Sequence, residues 1–117
     1  MATVTLTAEN FDQVAQGTGI VLVDFWASWC GPCRRFAPIF EKSAAKHDDI
    51  VFAKVDTEAQ PALSERFGIA SIPTLMAIRD GVIVFAEPGA LPDTMLENVI
   101  EQVRGLDMED VRSRLES

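Results

Sequence analysis

The 117-residue chain predicts an α/β domain: a central mixed sheet of five strands with helices on both faces, plus a short extra helix at the end. Three observations carry that expectation. Ile20 to Ala27 is a continuous apolar run broken by a single charge, Asp24, the pattern of a strand buried on both faces. Strand-like and helix-like segments alternate along most of the chain, the order expected of crossover connections. Late in the sequence, Asp80-Gly81 separates two apolar runs, a strong two-residue hairpin signal.

In chain order, Val4 to Leu6 reads as a short edge strand. Thr7 is expected to cap a first helix that runs to about Ala15 and ends at Gly17 and Gly19. The buried strand then feeds a helix from Gly31 to about Lys46. Pro38 lies inside it, removes a backbone donor and should kink it. Ile50 to Val55 is a second buried strand, and Asp56 and Glu58 after it read as a solvated loop. Pro61 opens a short helix that stops at Gly68. Thr74 to Ile78 and Val82 to Ala86 form the hairpin, with Met76 and Phe85 in the core. Pro92 starts the next helix, in which Leu96, Val99, Ile100 and Val103 recur at helical spacing before Gly105. Asp107 to Glu116 reads as one more helix, with Met108, Val111 and Leu115 on a stripe and an Asp110–Arg114 pair one turn apart. The division is therefore a domain over 1–105 and an extension over 106–117, either packed on the domain or serving as a partner-binding tail.

Apolar residues make up 48% of the chain, enough to build one core. A net charge of −8 argues against nonspecific binding to nucleic acid or an anionic membrane, and favours solubility. No apolar stretch approaches the roughly eighteen residues of a membrane helix. Met1 to Thr7 has neither a basic start nor a long apolar region, so no signal peptide is expected and the compartment is reducing and cytoplasmic.

Both cysteines lie in Trp29-Cys30-Gly31-Pro32-Cys33, where a buried strand gives way to a helix. In that context the spacing reads as redox chemistry rather than metal binding. A zinc site would need four ligands, and beyond the pair only His47 is offered. His47 shares a helix face with Phe36, Phe40 and Ala44 near the helix end and reads as a dipole-stabilising residue. No metal and no cofactor are expected. Cys30 sits at the helix N-cap, where backbone N–H groups and the dipole favour its thiolate. Pro32 has no N–H, so the Cys33 N–H is the expected partner of the Cys30 sulfur. Arg34 and Arg35 either add positive potential there or are simply solvated. Cys30 is the expected nucleophile toward a substrate disulfide, and Cys33 resolves the mixed disulfide that forms. Leu22, Asp24 and Trp26 share one face of the strand and Val21, Val23 and Phe25 the other. A carboxylate buried among such residues should have a raised pKa, which suits Asp24 to accept the Cys33 proton.

The segment Val21 to Cys33 resembles the thioredoxin family almost residue for residue, and the resemblance runs from about residue 4 to residue 104. It implies the thioredoxin fold and protein-disulfide reductase activity. It also implies that Lys54 accompanies the buried Asp24, although a surface lysine at a strand end is the plainer reading. Ile72-Pro73-Thr74 would be a cis-proline segment facing the dithiol, its backbone pairing with an extended substrate. Gly89-Ala90-Leu91 would be the family's glycine loop, or a simple turn. Trp29, Gly31, Pro32, Ile72, Pro73, Gly89 and Ala90 would then form an apolar docking surface. The Gly31-Pro32 pair between the cysteines resembles the reductants of the superfamily rather than its oxidants or isomerases. The implied partners are thioredoxin reductase as electron source and disulfide-containing proteins as substrates, with the chain a monomer. The rival reading is a binding or chaperone module on the same fold with an incidental dithiol.

Overall fold

A computed structural model describes residues 2–116. They form β1 (Thr3–Thr5), α1 (Phe11–Ala15), β2 (Ile20–Trp26), α2 (Gly31–Lys46) and β3 (Ile50–Asp56). Next come α3 (Pro61–Arg66), β4 (Thr74–Arg79), β5 (Val82–Pro88), α4 (Asp93–Arg104) and α5 (Met108–Glu116). The strand order is β1-β3-β2-β4-β5, with β3 parallel to both β1 and β2, and β4 antiparallel to both β2 and β5. The expected mixed five-stranded sheet is therefore present.

Continuous apolarity places β2 in the middle of the sheet, because only there can both faces be covered. Ile20 and Leu22 join Phe36, Phe40 and Ala44 of α2 and Leu96, Ile100 and Val103 of α4 in one core. Val21, Val23 and Phe25 join Phe11 and Ala15 of α1 and Leu63 of α3 in the other. Met76 is buried in the second core, while Phe85 packs half-buried against the first. In β3 the apolar run is covered except at Val51, which is 39% exposed. The three-residue β1 registers only with Phe52 to Lys54, so the start of β3 lies outside the covered part.

Several local details differ from the sequence reading. Thr7 does not cap α1 with its side chain. Instead Asn10 Oδ1 accepts the Thr7 N–H at 2.7 Å, and the Thr7 carbonyl accepts the Phe11 N–H at 3.0 Å, so residues 7 to 10 form a turn and the helix starts at Phe11. The first strand ends at Thr5, and Leu6 points into the core. Pro92 is the cap residue before α4 rather than its first helical residue. α2 runs as one helix across Pro38, which faces solvent. Asp56 is not merely solvated: its Oδ1 accepts the Glu58 N–H at 2.9 Å and holds the turn after β3. His47 makes side-chain bonds to α4, with Nε2 2.7 Å from Glu97 and Nδ1 3.1 Å from Arg104. A guanidinium can only donate, so Nδ1 accepts and Nε2–H donates to the carboxylate. Ser43 Oγ donates to the same Glu97 at 2.7 Å, which ties α2 to α4.

The hairpin turn behaves as Asp-Gly predicts. Asp80 and Gly81 have φ of 51° and 82°, both left-handed, as a type I′ turn requires. Asp80 also exchanges two bonds with Gly19 at the start of β2, its N–H donating at 2.8 Å and its Oδ1 accepting at 2.7 Å. Arg79 beside it was not singled out by the sequence. Its Nη1 lies 2.7, 3.0 and 2.8 Å from the carbonyls of Val103, Arg104 and Leu106, at and just beyond the end of α4. α5 follows directly. Met108 is buried, Val111 half-buried and Leu115 67% exposed, while Arg112 donates to the Asp80 carbonyl at 3.0 Å.

Removing Arg79 takes one donor from three carbonyls at the end of α4, of which Val103 keeps the Leu106 N–H. Arg79→Leu should lower unfolding free energy by about 2 kcal/mol, read as a fall in the denaturant midpoint. Arg112→Leu, which loses one exposed bond, should cost less than about 0.5 kcal/mol.

Candidate active site

β2 ends at Trp26, and after a four-residue link the chain enters α2 at Gly31. Cys30 is the N-cap, with extended backbone angles of φ −89° and ψ 115°. Its sulfur accepts the Cys33 N–H at 3.2 Å, the bond expected from the missing N–H of Pro32. The two cysteines are disulfide-bonded, with Cα atoms 5.2 Å apart. They are 4% and 2% exposed and pack with Ala27, Trp26 and Ile72.

The Ile72–Pro73 peptide is cis. The Ile72 carbonyl oxygen stands 3.6 Å from Cys30 Sγ. In the disulfide this is a packing contact, since the sulfur carries no hydrogen; a reduced Cys30 thiol could donate across it. The Pro73 carbonyl accepts the Gly89 N–H at 2.8 Å. Gly89 has φ of 110°, a conformation side chains resist, so glycine is needed at that joint. The structure thus brings Cys30, Cys33, Ile72, Pro73 and Gly89 together. Trp29, 65% exposed, flanks them, and Pro32, Gly89 and Ala90 are exposed while Gly31 is half-buried. Pro73 is itself buried, so Ile72 rather than Pro73 presents the surface at that point.

Asp24 sits in the central strand two residues before its end, in register with Lys54 of β3 and Leu75 of β4. It is fully buried, and neither carboxylate oxygen has a hydrogen-bond partner among the described residues. Burial raises its pKa from 3.8 to about 7, with Lys54 pulling weakly the other way. Lys54 forms no ion pair with it. The ammonium instead sits 5.1 Å from the centre of the Trp26 ring, a cation–π contact on a half-buried side chain.

Sequence reasoning missed one part of the site. A cleft beside Trp29 and Ile72 is lined by Thr57, Glu58, Ser64 and Ser71. Ser64 Oγ is buried without a hydrogen-bond partner among the described residues, and Thr57 Oγ1 donates to the Trp26 carbonyl at 3.0 Å. The signal available was positional: β2 and β3 are parallel, so the residues after β3 emerge at the same sheet edge as the dithiol. Among the described residues, no group of three or more His, Cys, Asp or Glu is placed to hold a metal ion.

Comparison with known proteins places this geometry. The family model named Thioredoxin matches residues 2–102. The "Putative thioredoxin 2" of Streptomyces coelicolor is 60% identical over 111 residues, spanning 95% of this chain and 83% of that protein. The thioredoxin of Alicyclobacillus acidocaldarius is 46% identical over 103 residues, spanning 87% of this chain and 98% of the relative. Among solved structures, the thioredoxin of Plasmodium falciparum superposes with a TM-score of 0.78 at 34% identity, covering 86% of this chain and 97% of the other. That of Malassezia sympodialis gives 0.78 at 33% identity, covering 86% and 91%.

The buried carboxyl has a measurable signature in stability. Between its unfolded pKa of 3.8 and its folded value of about 7, the native protein holds a proton that the unfolded chain has lost. Stability should therefore fall as pH rises through that window and stay reduced above it. Asp24→Asn should erase the slope and stabilise the oxidised protein by on the order of 4 kcal/mol at about pH 8, with no gain below about pH 4. Denaturant titrations of both proteins across that range would show it, and parallel pH profiles would refute the burial of a charge.

Proposed function

The chain belongs to the thioredoxin family, a family of protein-disulfide oxidoreductases, and from that premise we propose how its residues divide the reaction. Cys30 is the attacking cysteine. The observation that carries this assignment is its sulfur at the N-cap of α2, accepting the Cys33 N–H at 3.2 Å. A donor and a helix N-terminus both favour thiolate over thiol, and the thiolate is the nucleophile.

The reduced protein begins with a Cys30 thiolate and a Cys33 thiol. Cys30 attacks one sulfur of the substrate disulfide; a mixed disulfide forms and the other substrate sulfur leaves as thiolate, taking a proton from water. Cys33 then gives its proton to the Asp24 carboxylate and attacks Cys30 Sγ. The mixed disulfide breaks, the second substrate thiolate departs, and the Cys30–Cys33 disulfide seen here remains. Two electrons pass to the substrate. Tethering within one helical turn makes the second step intramolecular, and a carboxyl with pKa near 7 matches the pH at which it must accept and return a proton. Lys54, in register with Asp24, moderates that pKa through space.

Substrate docks over Trp29, Gly31, Pro32, Ile72, Gly89 and Ala90. The Ile72 N–H enters no hydrogen bond among the described residues, and its carbonyl faces Cys30, so an extended segment can add there as a strand. Pro73 contributes by fixing that peptide, with Gly89 bonded behind it. The Gly31-Pro32 pair suits a reductant, which works where thiols are kept reduced, so we assign the chain to the cytoplasm. There it acts as a monomer on disulfide-bearing proteins and is rereduced by thioredoxin reductase.

Cys33→Ser should trap substrates as mixed disulfides through Cys30, visible as thiol-reversible adducts by mass spectrometry, whereas Cys30→Ser should trap none. A module with an incidental dithiol would bind its partners equally in all three proteins. Asp24→Asn should slow turnover at least about tenfold near pH 7 and flatten its rise between about pH 6 and 8. Turnover unchanged over that range would remove the proton acceptor from the scheme.

A further inference from the structure

The arginines of the described residues sort into three groups. Arg66 pairs with Asp12 at 2.8 Å, Arg104 with Asp49 at 2.6 Å and Arg114 with Asp110 at 3.0 Å. Arg79 is bound to backbone carbonyls at the end of α4 and Arg112 to the Asp80 carbonyl of the hairpin. Arg34 and Arg35 alone stand at the dithiol, both are exposed, and neither meets a carboxylate among the described residues. In a chain of net charge −8 this is a local reversal of sign.

Both heads lie at the rim of the site. Arg34 Nη1 donates to the Ser28 carbonyl at 2.9 Å, which holds its head at the rim of the site. Arg35 Nη1 and Arg34 Nη2 lie 3.6 and 3.9 Å from the point where a Cβ on Gly31 would sit. Gly31 directly follows Cys30, so both guanidiniums border the residue next to the attacking sulfur. Across Trp29 the lining of the cleft has the opposite character, with Glu58 beside the hydroxyls of Thr57, Ser64 and Ser71. The surroundings of the dithiol therefore carry positive charge beside Gly31 and a carboxylate in the cleft beside Trp29.

We propose that Arg34 and Arg35 are specificity-determining residues, selecting substrate disulfides that carry an acidic side chain next to the attacked cysteine on the α2 side. This rests on the reading of Cys30 as the attacking residue. A guanidinium matches a carboxylate with two parallel hydrogen bonds and keeps its charge at any pH the protein meets. An acidic segment would otherwise be repelled by the protein's net charge, and the pair offsets that repulsion at the point of attack. Because both groups are exposed, the preference is moderate and sensitive to salt.

The competing role for two cations beside a thiol is to activate Cys30, which would speed attack on every substrate alike. A ratio of rates separates the two. Reduced full-length protein would be mixed with matched cystine peptides that differ only in a Glu or a Lys beside the target cysteine, and the second-order rate constants compared at low ionic strength. The Glu peptide should react about tenfold faster, and the ratio should fall to within about twofold in Arg34→Gln/Arg35→Gln and in about 0.5 M salt. Arg34→Glu/Arg35→Glu should invert it. Equal rates for the two peptides with the unaltered protein would overturn the proposal. So would equal slowing of both in the Gln variant, matched by a loss of Cys30 alkylation rate, since that is activation. Reduction of neither peptide, with Cys33 rather than Cys30 the thiol that alkylates, would instead bring down the assignment of the attacking cysteine and the preference with it.

Discussion

The burial of β2 on both faces is the constraint on which the rest depends. A strand covered above and below must lie between other strands, and that fixes β3 and β4 as its neighbours. Its parallel partner β3 sends Thr57 and Glu58 to the same sheet edge where β2 delivers Cys30. Its antiparallel partner β4 begins there, immediately after the cis Ile72–Pro73 peptide. The dithiol, the proline segment and the cleft meet because three strand ends coincide, not because any of them is close in sequence.

The same burial makes Asp24 expensive. A carboxyl with no hydrogen-bond partner among the described residues, in the middle of the central strand, opposes folding whenever it is ionised. Nothing in packing requires it, since Leu22 on the same face shows that an aliphatic residue fits the setting. A local cost of this kind, where pattern and propensity favour another residue, is what a functional site leaves in a fold. Lys54 does not cancel it: the lysine is held against Trp26, close enough to tune the carboxyl and too far to pair with it.

Much of this is legible in the sequence itself. The apolar run of β2, the Asp80-Gly81 turn, the redox spacing of the cysteines and the anomaly of Asp24 are each local signals whose physics is short-ranged. The capping of α1 was misread because Thr7 and Asn10 are both competent caps, and the choice depends on how residues 7 to 10 turn. Arg79 and the Glu97–His47 bond were invisible because their partners lie far along the chain, at separations no pattern encodes. Pro73 was expected at the surface with its neighbours, yet a residue that orients a peptide need not be exposed itself. The resemblance supplied the pairing of proline segment and dithiol; no periodicity in the chain could have done so.

The hairpin turn and α5 occupy the pole of the sheet where β2 starts, while the dithiol lies where β2 ends. Arg112 fastens the last helix to that remote pole, and Arg79 holds the end of α4 and the link to α5 beside it. A tether, label or solid support attached through the tail would accordingly leave the reactive face pointing away from the anchor. The molecule comes with its own handle.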